Sequence, residues 1–155
     1  ATINAAISVT SDVTGYGTTI NNSMTMTKAG TIAGLDQATG LVRKTLTSTN
    51  EVDLLVVGAG VVADVTATKS AKLYIKNVNT DSSEYFTVGL GKASTSASKQ
   101  ALSVVADDTR SVEIGRLYSG DWMIIPWVAA SDEHDVFVKP SVSTSMVIEY
   151  MVFFE

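Results

Sequence analysis

The sequence predicts an all-β protein, a β-sandwich or jelly roll preceded by an extended N-terminal arm, and three observations lead there. The chain is rich in Val and Thr, whose branched β-carbons suit a pleated, half-buried surface better than a helix. Short apolar or alternating runs recur with turn residues about every ten positions, the spacing of sandwich strands. No stretch carries the i, i+3, i+4 spacing of a long amphipathic helix. At 155 residues the chain has the length of one domain, with enough material for a full core.

Taken in order, residues 1–50 are strand-like but poor in bulk. Ile3, Ala5, Ile7 and Val9 alternate, as do Asn22, Met24 and Met26, yet Gly15, Gly17, Gly30, Gly34 and Gly40 interrupt the pattern. Among two Trp, five Tyr and four Phe, only Tyr16 precedes Tyr74. Aromatic side chains carry much of the area a core buries. The expected compact domain is therefore 51–155, with 1–50 an extended arm of short strands that lies on a larger surface, or else ordinary edge strands of the same domain.

From Thr45 the strand signal strengthens. Glu51–Val57 is an apolar run, and Ala71–Asn77 alternates with Leu73 and Ile75 inward and Lys72, Tyr74 and Lys76 outward. A turn at Asn79–Ser83 leads to Glu84–Leu90, read as the hairpin partner. Lys92–Gln100 reads as a polar loop or a short helix running to Val105, and Asp107-Asp108 as a turn. Val112–Trp127 reads as two strands about a turn at Ser119-Gly120-Asp121. A short strand His134–Lys139, a break at Pro140 and a terminal strand Met146–Phe154 complete the chain.

Two of these strands are apolar on both faces. Trp122, Ile124 and Pro126 point one way and Met123, Ile125 and Trp127 the other; in the terminal strand Met146, Ile148, Tyr150, Val152 and Phe154 oppose Val147, Glu149, Met151 and Phe153. A strand apolar on both faces must be covered twice, once by its own core and once by something else. The candidate oligomer or shell interface is accordingly Trp122, Ile124, Trp127, Ile148, Tyr150, Phe153 and Phe154.

Chemistry is sparsely signalled. A net charge of −5 with scattered basic residues argues against a nucleic-acid partner. There is no cysteine, hence no disulfide and no thiolate nucleophile, which fits assembly in a reducing cytoplasm. No run reaches the roughly 18 apolar residues of a membrane helix, and ATINAAISVT lacks the basic and apolar regions of a signal peptide. Gly58-x-Gly60-x-x-Ala63 after an apolar run imitates a dinucleotide fingerprint, but Val61–Thr68 is β-branched and too short for the required helix, so the glycines read as a turn. Asp132-Glu133-His134-Asp135 gathers the single His with three carboxylates and reads as a solvated loop, because the spacing matches no metal-ligand loop. Trp122, Trp127 and Tyr118 could form a sugar-stacking platform, although two strand residues five apart face opposite sides. No cofactor, metal or catalytic residue is expected, and an enzyme is not.

KLYIKNVNTDSSEYFTVGLG, SVEIGRLYSGDWMIIPW and the closing VIEYMVFFE together resemble virion structural proteins of tailed bacteriophages, particularly those of aquatic and cyanobacterial phages. The resemblance spans about residues 70–155 and lies in a pattern of strand, Asn-containing turn and strand, a hairpin with Gly-Asp before an aromatic residue, and a closing strand with Ile-Glu-Tyr. It implies a non-enzymatic particle component assembled in the host cytoplasm: a capsid decoration (cement) protein, often trimeric, contacting the major capsid protein or other virion proteins. A tail or fibre component, or a receptor- or glycan-binding module, is the other class it implies.

Overall fold

The computed structural model describes residues 3–11, 17–91 and 112–155. The polar segment expected at Lys92–Gln100 and the turn at Asp107-Asp108 lie outside the described residues. The strands are β1 (Ile3–Ser11), β2 (Thr18–Met26), β3 (Gln37–Ala38), β4 (Val42–Leu46), β5 (Val52–Leu55), β6 (Ala71–Asn77), β7 (Tyr85–Leu90), β8 (Val112–Tyr118), β9 (Trp122–Trp127), β10 (Val136–Pro140) and β11 (Met146–Phe154). Gly60–Val62 and Asp132–His134 form single 3-10 turns.

The strands from β4 onward pair as the two halves of one long ribbon: β4 with β11, β5 with β10, β6 with β9, and β7 with β8, each antiparallel. Rolling that ribbon puts β4-β11-β6-β9 in one sheet and β5-β10-β7-β8 in the other, which is the strand order of a jelly roll. The two-residue β3 extends the first sheet by pairing with the last residues of β11.

The chain therefore changes layer at turns that look like hairpins. β6 and β7 lie in different sheets, as do β8 and β9, so neither pair is the hairpin that the sequence suggests. Asn77 explains the second case. Its N–H donates to Asp121 O and its carbonyl accepts from Gly120 N–H, both at 3.0 Å, so the 119–121 turn is fastened to β6, and β8 and β9 leave it into different sheets instead of pairing. Gly120, at φ 82°, supplies the left-handed residue this arch needs. Fully buried, the Asn77 side chain donates to Leu117 O (3.0 Å) and accepts from Asn79 N–H (3.0 Å), while Asn79 Oδ1 accepts from Val147 N–H (2.9 Å). One amide network thus ties β6, β8, β11 and the arch together at this end of the sandwich.

Between the sheets lies one apolar core. Leu73, Ile75, Ile148, Tyr150, Val152 and Phe154 of one layer meet Leu54, Leu55, Phe86, Val88, Val136 and Val138 of the other, with Trp127 closing the side. Leu46 of β4 belongs to it, so the sandwich takes in Gln37–Ala38 and Val42–Leu46, which the sequence assigns to the arm. Phe137 is also fully buried, on the opposite side of β10 from Val136 and Val138. Its ring occupies the space above Gly89, where an added Cβ would sit 2.3 Å from Cζ. Only glycine fits opposite Phe137 at this register.

The first two strands take a different course. β1 and β2 pair along nine residues and, among the described residues, only with each other. Met26, at the end of β2, is the one buried residue among the described hairpin residues; with Leu35 it anchors the base, where Leu35 N–H donates to Met26 O (2.8 Å). Lys28 and Asp36 pair there at 2.7 Å, and that bond to the ammonium holds the Asp36 carboxyl below the usual carboxylate range.

Candidate functional site on the outer sheet face

The face of the five-stranded sheet that points away from the core is built by strand alternation. On β6, Ala71, Leu73, Ile75 and Asn77 turn inward and are buried, so Lys72, Tyr74 and Lys76 turn outward. The register then fixes their neighbours. Tyr74 lies between Ile124 of β9 and Met151 of β11; Lys76 lies between Trp122 and Glu149; Lys72 lies between Pro126 and Phe153. An apolar row, Ile124–Tyr74–Met151, therefore crosses three strands, with Trp122 on one flank and Pro126 and Phe153 on the other. Trp122 is 48% exposed, and its ring centroid is 6.5 Å from that of Tyr74.

Charge on this face is arranged unevenly. Glu149 is nearly buried and fully engaged: Arg43 Nε donates to Oε2 at 2.8 Å and the Tyr74 hydroxyl donates to Oε1 at 3.3 Å. Burial, reinforced by the Glu149 charge and this hydrogen bond, raises the Tyr74 pKa above its ordinary value. With Glu149 neutralised, the net character of the face is apolar and basic, from Lys72 and Lys76. Such a surface fits an apolar patch with acidic residues at its rim.

Of the seven candidate interface residues, the structure brings Trp122, Ile124 and Phe153 onto this face. Trp127, Ile148, Tyr150 and Phe154 belong to the core instead, each no more than 8% exposed. Their strands were expected to be apolar on both sides, and the register with β6 decides which side is covered: Trp127 pairs with Ala71, Ile148 with Asn77, Tyr150 with Ile75 and Phe154 with Ala71, all inward. Tyr74, Met151, Lys72 and Lys76 complete the face and were missed as site residues. The outward parity of AKLYIKN was the signal for Lys72, Tyr74 and Lys76.

The remaining candidates separate. Trp122, Trp127 and Tyr118 do not converge: Trp127 donates from Nε1 to His134 O (2.8 Å) inside the domain, and Tyr118 lies on the outside of the other sheet. There it stacks near Tyr85 at 5.2 Å, with the Arg116 guanidinium 4.5 Å over the Tyr85 ring. The 132–135 stretch is not wholly a solvated loop. Asp135 is buried, its Oδ1 accepts from Val57 N–H and its carbonyl accepts from Gly91 N–H, both at 2.7 Å, so it fastens the β5–β6 connection to β10. Among the described residues, no three His, Asp or Glu side chains converge as a metal site. Gly58 falls in the turn after β5 and Gly60 opens a single 3-10 turn, where a dinucleotide site requires a helix. No helix among the described residues is long and apolar enough to cross a membrane. Comparison with known protein families, curated proteins and solved structures returns no match.

Proposed function

We propose that the chain is a non-enzymatic structural protein of a virus particle, a decoration or cement protein that binds a phage head as a homo-oligomer, a trimer in this reading. The observation that carries it is the outer face around Ile124, Tyr74 and Met151: a sheet whose inner side already fills a core presents a second apolar surface. A protein that clamps neighbouring capsomers needs such a face. Its affinity comes from several copies held together, each contributing a modest contact. The resemblance of the sequence to phage virion proteins supports the same reading, and the absence of cysteine suits assembly in a reducing cytoplasm.

The test is to locate the protein in purified particles by electron microscopy and to heat particles with and without it. Density over the capsid and earlier genome release from particles lacking the protein are expected. Equal heat resistance of the two preparations overturns the cement role. Trp122→Asp, a change at an exposed position, should leave the fold intact and weaken particle binding.

A second reading, glycan recognition by a fibre or receptor-binding module, draws on the adjacent Tyr74 and Trp122 rings, onto which a sugar can stack. Quenching or shift of tryptophan fluorescence by soluble glycans, abolished in Trp122→Ala, would favour it over cementing.

A further inference from the structure

The β1–β2 hairpin carries its own sidedness. Ile3, Ala5, Ile7 and Val9 share one face with Ile20, Asn22, Met24 and Met26, while Asn4, Ala6, Ser8 and Thr10 share the other with Thr19, Asn21, Ser23 and Thr25. The second face is a polar ladder, with Ser8 Oγ donating to Asn21 Oδ1 (2.6 Å) and Thr25 Oγ1 to Asn4 Oδ1 (3.0 Å). The first face is apolar apart from Asn22, and its Ile7, Val9, Ile20 and Met24 are 39% to 52% exposed.

Two further features say what kind of partner the apolar face takes. Neither strand contains an Asp, Glu, Lys or Arg, so a second copy meets it with no like-charge repulsion, whereas the basic five-stranded face calls for an acidic partner. The sandwich also blunts its exposed edges and the hairpin does not. β9 has Pro126, β8 has Glu113, Arg116 and a register irregularity opposite Val88–Gly89, β4 has Arg43 and Lys44, and β5 is four residues long. β1 and β2 have nine residues each, with neither proline nor charge. An isolated two-stranded hairpin is marginal in water, so this one gains most of its order from what it pairs with.

We propose that the hairpin is a self-association element, its apolar face packing on the same face of a second copy. This rests on the oligomer of the reading above and places the self-contact on a different element from the shell-binding face. At about 3.3 Å per residue and about 5 Å between strands, the face measures roughly 30 by 10 Å. That is less than the roughly 800 Å² per partner of a standard interface, so a stable contact also needs strand pairing along an outer edge of β1 or β2, neither of which has a third strand among the described residues. Ile7 lies midway along β1 and Asn22 directly opposite it. A threefold axis near this point gathers the apolar faces of the three copies and lets Asn22 amides bond to one another and set the register.

The absence of cysteine makes the test direct. In the full-length chain, Ile7→Cys should form disulfide-linked dimers on mild oxidation, and Ser23→Cys, on the polar face, should not. Ile7→Lys combined with Met24→Lys should weaken association by about a hundredfold or more in sedimentation, since each buries an unpaired charge. Tryptophan emission, to which the buried Trp127 contributes a blue-shifted part, confirms that the sandwich of each variant is folded. Equal cross-linking from the two faces, a wild-type monomer at about 100 μM, or unchanged association of the double-lysine variant overturns the proposal. Trp122→Asp separates the two claims: it should weaken particle binding and leave sedimentation unchanged, so either reading can fail without the other.

Discussion

β11 in the sandwich and β1 in the hairpin are both nine-residue strands with alternating side chains, yet every second residue of β11 is buried and no residue of β1 is. The difference lies in closure. β11 has β4 and β3 on one side, β6 on the other and a second sheet above it; β1 has β2 alone among the described residues. Alternation makes a strand and gives it a sided surface, but a covered surface requires a second layer. The hairpin therefore has the local structure of a sheet without the burial that stabilises one.

The comparison is sharpest where a charge is introduced. Ile148→Asp buries an unpaired carboxylate in the core and should cost on the order of 4 kcal/mol or more, enough to unfold the sandwich in urea titrations. Ile7→Asp, on the hairpin, should move the same midpoint very little. Equal effects would mean that the hairpin is part of the cooperative core.

Next in size are substitutions at two close-packed points of the sandwich. Gly89→Ala must displace the Phe137 ring and should cost about 1–3 kcal/mol. Asn77→Ala leaves the Leu117 carbonyl and the Asn79 N–H without their buried partner, a loss of about 1–3 kcal/mol, again read from denaturant midpoints. A wild-type midpoint for either variant would show that the site relaxes freely.

The smallest expected effect is alkaline. Burial raises the pKa of both Tyr74 and Tyr150, with Glu149 adding to the shift of Tyr74. The folded chain then retains hydroxyl protons that the unfolded chain gives up. Stability from this source is complete below about pH 10 and declines as pH rises through the folded-state values. Tyr74→Phe should flatten that decline in melting temperatures taken between about pH 9 and 11; an unchanged slope would locate the loss elsewhere.

Strand content and sidedness were legible in the sequence: Ala71–Asn77 and Met146–Phe154 take the faces their alternation assigns. Pairing was not. The connections at 78–84 and 119–121 have the length and composition of hairpin turns, and only the buried Asn77, bonded to the arch and to β8, shows that they cross between layers. The site was half legible for a similar reason. Parity separates Trp122 from Trp127 but does not say which one faces the core; the register with β6 does. Asp135 gave no signal at all, because its role as acceptor for Val57 N–H joins segments 78 residues apart. The alternative for the first third, arm or edge strand, divides by element: β1 and β2 pair only with each other among the described residues, and β3 and β4 join the sheet.

Hydrogen exchange followed over a dilution series tests the contrast between the two regions most directly. Amides of β6 and β11 should stay protected at every protein concentration, because their partners are intramolecular. Amides of β1 and β2 should be protected when the protein is concentrated and exchange rapidly once it is diluted to monomers. Hairpin protection that persists unchanged on dilution, or that is missing at every concentration, would contradict a hairpin stabilised by a second copy.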